Sequence, residues 1–146
     1  SATLAEACTA DAVIVGSGAL TREVVEDSQL MGQLHLDPTR QLLAAQCSGT
    51  LVLAKLGLLE GVPACTDLTT KPWVQAAGVE VLNQAFFARG NVATAGGCLA
   101  STYLAAWIIA RLQGLEAASH AVHYVAPVGE KQWYVERAMA NIQPYL

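Results

Sequence analysis

Apolar and polar positions fall into two kinds of run along this chain. "DAVIVGSG" (11–18) is a short continuous apolar stretch ending in glycines. It predicts a buried parallel strand opening into a loop, central in its sheet or nearly so. "LTREVVEDSQLMGQLHL" follows with helical spacing, early acids and a break at Asp37-Pro38, which predicts a crossover helix in two pieces. "RQLLAAQC" (40–47) reads as a second strand, and "SGTLVLAKLGLLEG" as a short helix closed by Gly57 or Gly61 in a left-handed cap. "VPACTD" predicts a short strand, "TKPWVQAAG" a turn of helix with Pro72 near its first position, and "VEVLNQAFFARG" a strand reaching toward the surface. "NVATAGG" is another strand or hairpin arm, followed by an apolar helix from Leu99 to Leu112. Two more helices, in "LEAASHAVHYVAP" and "EKQWYVERAMANIQPYL", flank Val128-Gly129.

Strands alternating with helices imply a mainly parallel sheet covered on both faces. Ligands in such sheets sit beyond the carboxyl ends of the strands, where Gly18, Cys47 and Gly96-Gly97 are expected to gather. Composition agrees. The 146 residues suit one domain (1–146), and 14% charged residues is well below the usual quarter, as expected when helices cover both sheet faces.

Charge narrows the partners. The net charge of −4, with no Lys/Arg cluster, gives no footprint for nucleic acid or an anionic membrane surface. The charge-free stretch from Gly90 to Ala110 is interrupted by the turn-like "GNVATAGG", so a buried helix is expected there rather than a membrane span. The four cysteines, at 8, 47, 65 and 98, show no C-x-x-C spacing and no secretory signal pattern precedes them, which points to a reduced, cytoplasmic setting. With His35, His120 and His123 scattered and no Cys/His cluster, no metal and no cofactor is expected.

The candidate chemistry lies at "AQCSG". A residue at a tight strand-to-helix turn needs small neighbours, and Ala45 and Gly49 stand two positions either side of Cys47, the spacing of a nucleophile elbow with Cys for Ser. A helix starting at once would stabilise a thiolate, so the Cys47 pKa is expected to drop toward neutrality. The backbone amides of Ser48 and Gly18 are the two candidate oxyanion donors. Asp67, after the third strand, is a candidate base, although loop aspartates are more often turn formers or caps. The plainer reading of Cys47 is a small buried hydrophobe. Cys8 and Cys65 stay with that reading; Cys98 also reads as structural, although it begins another helix and could lie near the same cleft. Trp73, Trp107, Trp133 and Tyr124 read as core or interface aromatics, and the three histidines as surface or packing residues.

"DAVIVGSG", "AAQCSGTLVLAKLGLLEGVPACT" and "GNVATAGGCLASTYLAAWIIA" together resemble the DJ-1/PfpI (ThiJ/PfpI) family of the class I glutamine-amidotransferase-like superfamily, especially its isonitrile-hydratase-like branch. The resemblance covers nearly the whole chain. It implies a flavodoxin-like three-layer α/β sandwich, usually dimeric, with a reactive elbow cysteine that Cys47 matches. Family members include isonitrile hydratases, glyoxalase- and deglycase-like enzymes, stress chaperones and ligand domains of transcription regulators. There are departures. The family's Gly-Gly after the first strand is Ser17-Gly18 here, and where many members place a histidine after the third strand this chain has "CTDLTTKPW", with Asp67 near the position.

The resemblance also implies an amino-terminal strand–helix–strand part, with an acid that hydrogen-bonds the cysteine, that this sequence lacks. A sheet without its central strand exposes unpaired backbone groups, so either a complementing amino-terminal polypeptide or a second copy of the chain is expected to cover the gap. Two function classes follow. One is a cysteine-dependent hydratase, lyase or hydrolase acting on a small electrophilic carbon, such as an isonitrile or a reactive carbonyl, with Cys47 attacking, the Ser48 and Gly18 amides holding the anion, and the acid of that amino-terminal part, aided by Asp67 or Ser48, moving the proton. The other is a non-catalytic redox-sensing or small-ligand module.

Overall fold

The computed structural model describes residues 3–146. A short helix, α1 (Leu4–Ala7), starts the described chain and carries a capping box between Thr3 and Glu6. Strand β1 (Ala12–Val15) leads to two helical pieces, α2 (Thr21–Glu26) and α3 (Ser28–Met31). The break between them is chemical: Asp27 ends α2 and its carboxylate accepts from the Gln29 and Leu30 N–H groups to cap α3. Next come β2 (Leu42–Gln46), a 3₁₀ turn at Cys47–Gly49, α4 (Thr50–Lys55) and α5 (Lys71–Ala76), whose first turn holds Pro72. The remainder is β3 (Phe86–Arg89), β4 (Val92–Ala95), a 3₁₀ turn at Cys98–Ala100, and helices α6 (Ser101–Gln113), α7 (Leu115–Val125) and α8 (Lys131–Ile142).

The sheet order is β1-β2-β4-β3, with β1, β2 and β4 parallel and β3 antiparallel to β4. The last pair is a hairpin over Gly90-Asn91, with Gly90 at φ 58° supplying the left-handed turn residue. Successive side chains of β2 serve opposite layers, and both sides are dry. Leu42 and Ala44 pack with Phe86, Leu104, Trp107 and Ile142 under α6 and α8, whereas Leu43 and Ala45 pack with Leu51, Leu53 and Val74 under α4 and α5. The result is a three-layer α/β/α sandwich, the fold class expected from the alternation of strands and helices.

Three local expectations are corrected. The β1 strand is an edge of the sheet rather than central, and its Ile14 side chain is 54% exposed. "VPACTD" forms no strand but a single parallel bridge, Ala64 to Val81. In "VEVLNQAFFARG" only Phe86–Arg89 pairs as a strand. The loss at 62–67 has a compensating cause: the backbone there is held by threonine hydroxyls. Thr50 Oγ1 donates to the Cys65 carbonyl at 2.9 Å, and the Cys65 N–H donates to Thr94 Oγ1 at 2.8 Å. Side chains thereby satisfy buried backbone groups that a ladder would otherwise pair.

Candidate active site at the Cys47 corner

Among the described residues, Cys47 is the one non-glycine with a positive φ, 57°. That left-handed conformation costs a residue with a Cβ roughly 1–2 kcal/mol, so the surroundings must enforce it. They do so at Gly49. A Cβ on Gly49 would stand 2.7 Å from the Gly16 carbonyl oxygen and closer still to that of Val15, so only glycine lets the chain turn flush against the end of β1. The Thr66 hydroxyl ties down the other side by donating to the Cys47 carbonyl at 2.8 Å. Gly96 lets the Thr66 backbone approach, since a Cβ there would lie 2.8 Å from the Thr66 carbonyl oxygen.

These constraints turn Cys47 into a cavity of about 470 Å³ whose lining includes Gly18, Thr21, Arg22, Ser48, Asp67 and Trp73. All four sequence-predicted site residues, Cys47, Ser48, Gly18 and Asp67, therefore meet here. Asp67 is set by its own turn: Oδ2 accepts from the Thr70 N–H at 3.0 Å, as a cap residue does. Its Oδ1 is buried and lacks a partner of full hydrogen-bond geometry. The Cys47 thiol nevertheless lies close enough to Asp67 for each to perturb the other's titration. We take this as a short-range but imperfectly aligned contact of thiol toward carboxylate.

Electrostatics reverse one expectation. The Cys47 pKa is pushed up, to about 11, first by burial and then by the contact with Asp67 and its negative charge. The nearby Ser48 N–H acts the other way but is outweighed. A fall toward neutrality fails because burial and the neighbouring Asp67 carboxylate both disfavour the thiolate. A 3₁₀ turn precedes α4, which runs only from Thr50 to Lys55, so little helix dipole opposes them. For Asp67, burial raises the pKa, but the Thr70 hydrogen bonds and the Cys47 contact together prevail and leave it lowered. At neutral pH the pair is a protonated thiol beside a carboxylate.

Gly18 also stands differently from expectation. Its N–H donates to Ser48 Oγ at 3.2 Å, and Thr21 Oγ1 donates to the Gly18 carbonyl at 2.8 Å while lying 3.0 Å from Ser48 Oγ. The Gly18 amide is thus committed to a small hydroxyl ring that positions Ser48, leaving the Ser48 N–H as the donor beside the sulfur. Thr21, Thr66, Arg22 and Trp73 were not singled out for the site. Trp73, read as a core or interface aromatic, instead lines the cavity with Arg22 over its ring at 3.9 Å. Spacing gives no clue to Thr21, which reaches Ser48 only through the fold. Cys98, expected to be structural, is exposed, and its proximity is felt at Cys47. Cys65 is buried in the core, and burial pushes its thiol to about 12. Trp107 is fully buried, but Trp133 and Tyr124 are 51% and 85% exposed. The three histidines are exposed and do not line the cavity. Among the described residues no group of three His, Cys, Asp or Glu side chains is arranged to hold a metal, and no helix is long and apolar enough to cross a membrane.

No family model and no curated protein matches the sequence. Solved structures do. A ThiJ/PfpI family protein from Pseudomonas syringae superposes with a TM-score of 0.69 at 17% identity, covering 91% of this chain and 62% of that one. Drosophila melanogaster DJ-1beta gives 0.71 at 23% identity over 84% of this chain and 68% of its own. A ThiJ/PfpI domain protein from Brachyspira murdochii gives 0.63 at 23% identity over 72% and 61%. The fold is therefore that of the DJ-1/ThiJ/PfpI structures, as the resemblance of the motifs implied. The chain spans less than two thirds of the length of the Pseudomonas syringae protein.

Proposed function

We propose that this chain is a DJ-1/PfpI-like protein in which Cys47 adds to a small electrophilic carbon, such as an isonitrile or a reactive carbonyl, as a cysteine-dependent hydratase, lyase or hydrolase. The observation that carries the reading is the left-handed Cys47 turned into a cavity beside Asp67. In the step proposed, the S–H bond breaks as the S–C bond forms and the proton passes to Asp67. The negative charge gathering on the substrate is met by the Ser48 N–H, and Asp67 then returns the proton to it. A protonated thiol with an adjacent base suits this coupled transfer better than it suits a free thiolate.

The same raised thiol pKa favours a second reading, a pocket that holds a small ligand without turning it over, and counts against peroxide sensing, which needs thiolate. Assaying the protein and Cys47→Ala against methylglyoxal, glyoxal and an alkyl isonitrile separates the two. The enzyme reading expects a loss of about 100-fold or more on removing the sulfur; equal turnover in both proteins removes it.

We further propose that the free edge of β1, with Ile14 exposed on it, pairs with a strand of another polypeptide or of a second copy, since parallel edges are rarely left open. Light scattering of native protein and Ile14→Lys tests this: a monomer in both cases defeats it. Free cysteines at all four positions fit the reducing, cytoplasmic setting proposed for it.

A further inference from the structure

The cavity holds one cation. Arg22 extends from the first turn of α2 over the Trp73 ring, 3.9 Å from guanidinium carbon to ring centre, and lines the space that Cys47 opens into. Among the described residues Arg22 has no carboxylate partner and makes no side-chain hydrogen bond, in contrast to Lys55, which lies 3.8 Å from Glu26. Other arginines of the chain are spoken for: Arg89 donates to the Gly61 carbonyl, Arg111 to Gly90 and Asn91, and Arg137 to the Tyr103 hydroxyl. A guanidinium stacked on an indole leaves its N–H edge free, the arrangement suited to two-pronged capture of a carboxylate.

The surroundings fix where the anion must sit. Arg22 and Trp73 form the boundary between the Cys47 cavity and a larger groove of about 820 Å³ along α2 and α5. That groove carries Glu23, Glu26 and Asp27 against Lys55, which is itself engaged by Glu26, so its balance is unfavourable to an anion. On the Cys47 side the charged neighbour is Asp67, at the sulfur end and already engaged by Thr70. A ligand with its negative charge at the Arg22 end and its electrophilic carbon at the Cys47 end meets complementary groups at both.

Resting on the function proposed above, we infer that Arg22 is a specificity-determining residue and that the site selects short electrophiles bearing a carboxylate, of the 2-oxo acid type, over neutral ones. Arg22 holds the carboxylate and takes no part in bond making.

The test compares carboxymethylation by iodoacetate with carbamidomethylation by iodoacetamide, reagents that differ in charge and little in size, followed peptide by peptide by mass spectrometry. Exposed Cys98 is the reference within the same sample. The iodoacetate-to-iodoacetamide rate ratio at Cys47 is expected to exceed that at Cys98 by about threefold to tenfold, to fall to the Cys98 value in Arg22→Gln, and to be partly restored in Arg22→Lys. Equal ratios at the two cysteines in the native protein, or no change in Arg22→Gln, overturn the inference.

Should Cys47 resist both reagents, calorimetric titration of Cys47→Ala with glyoxylate and with glyoxal decides. Glyoxylate binding that is tighter than glyoxal binding, and is lost on adding Arg22→Gln, supports the inference; equal binding overturns it. These readouts require no turnover, so they stand apart from the catalytic reading, which fails only if activity survives in Cys47→Ala.

Discussion

Two corners of this molecule are made of the same parts in a different order. At the end of β2 the chain passes into a 3₁₀ turn that begins at Cys47 and continues as α4. At the end of β4, the neighbouring strand, it passes into a 3₁₀ turn that begins at Cys98 and continues as α6. The difference is which residue bends. At the first corner the cysteine itself takes the left-handed conformation, φ 57°; at the second Gly97 takes it, φ 88°, just before the cysteine. Cys47 is consequently turned into a cavity and half-buried, and Cys98 is turned out and exposed. A glycine absorbs such a bend at little cost, so strain held in a side-chain-bearing residue marks the corner where side-chain placement matters.

The largest break in this comparison is Gly49→Ala. Its Cβ meets the carbonyl oxygens of Val15 and Gly16, which are backbone and cannot swing aside, so a destabilisation of about 3 kcal/mol or more is expected in urea unfolding. A loss under about 1 kcal/mol would show that the corner yields and that the strain at Cys47 is not enforced.

Next in size is Asp67→Asn. The Cys47 thiol is raised to about 11 partly by the charge and contact of Asp67, so removing that charge lowers the pKa toward its ordinary 9.0. Below pH 9 a lower thiol pKa means more thiolate, and iodoacetamide modification of Cys47 at pH 8 is expected to rise up to about tenfold while that of Cys98 stays level. Turnover is expected to move the opposite way, since the base is gone and asparagine still caps Thr70. An unchanged modification rate would mean that the carboxylate does not govern the thiol.

The smallest effect is a sign difference. Cys47→Gly removes left-handed strain and is expected to raise stability by up to about 1 kcal/mol, whereas Cys98→Gly, with no such strain to release, is expected to be neutral or slightly destabilising. Destabilisation by Cys47→Gly would locate the support of that corner in the sulfur's own contacts.

How much of this was legible in the sequence depends on the range over which it is decided. The strands at 12–15 and 42–46, the two-piece crossover helix and the elbow at Cys47 follow from local pattern, but the helix divides at Asp27 rather than at Asp37-Pro38, because the Asp27 carboxylate caps a new turn there. The charge state of Cys47 does not, because it is set by Asp67, twenty residues on, and by burial that exists only once the layers close. The Thr50–Cys65–Thr94 relay that replaces a strand at 62–67 is likewise invisible, since an isolated threonine announces no partner. Arg22 and Trp73 join only because α2 and α5 both pack against α4. The edge position of β1 is not legible, because a continuous apolar run reports burial on two faces and says nothing about which neighbour lies alongside.

The close approach of Gly49 to the last residues of β1 has a mechanical consequence. With no side chain between them, the two segments touch backbone to backbone, and that seam has no slack to take up a displacement. A strand docking on the outer margin of β1, as proposed above, would press on the chain that sets the sulfur's direction.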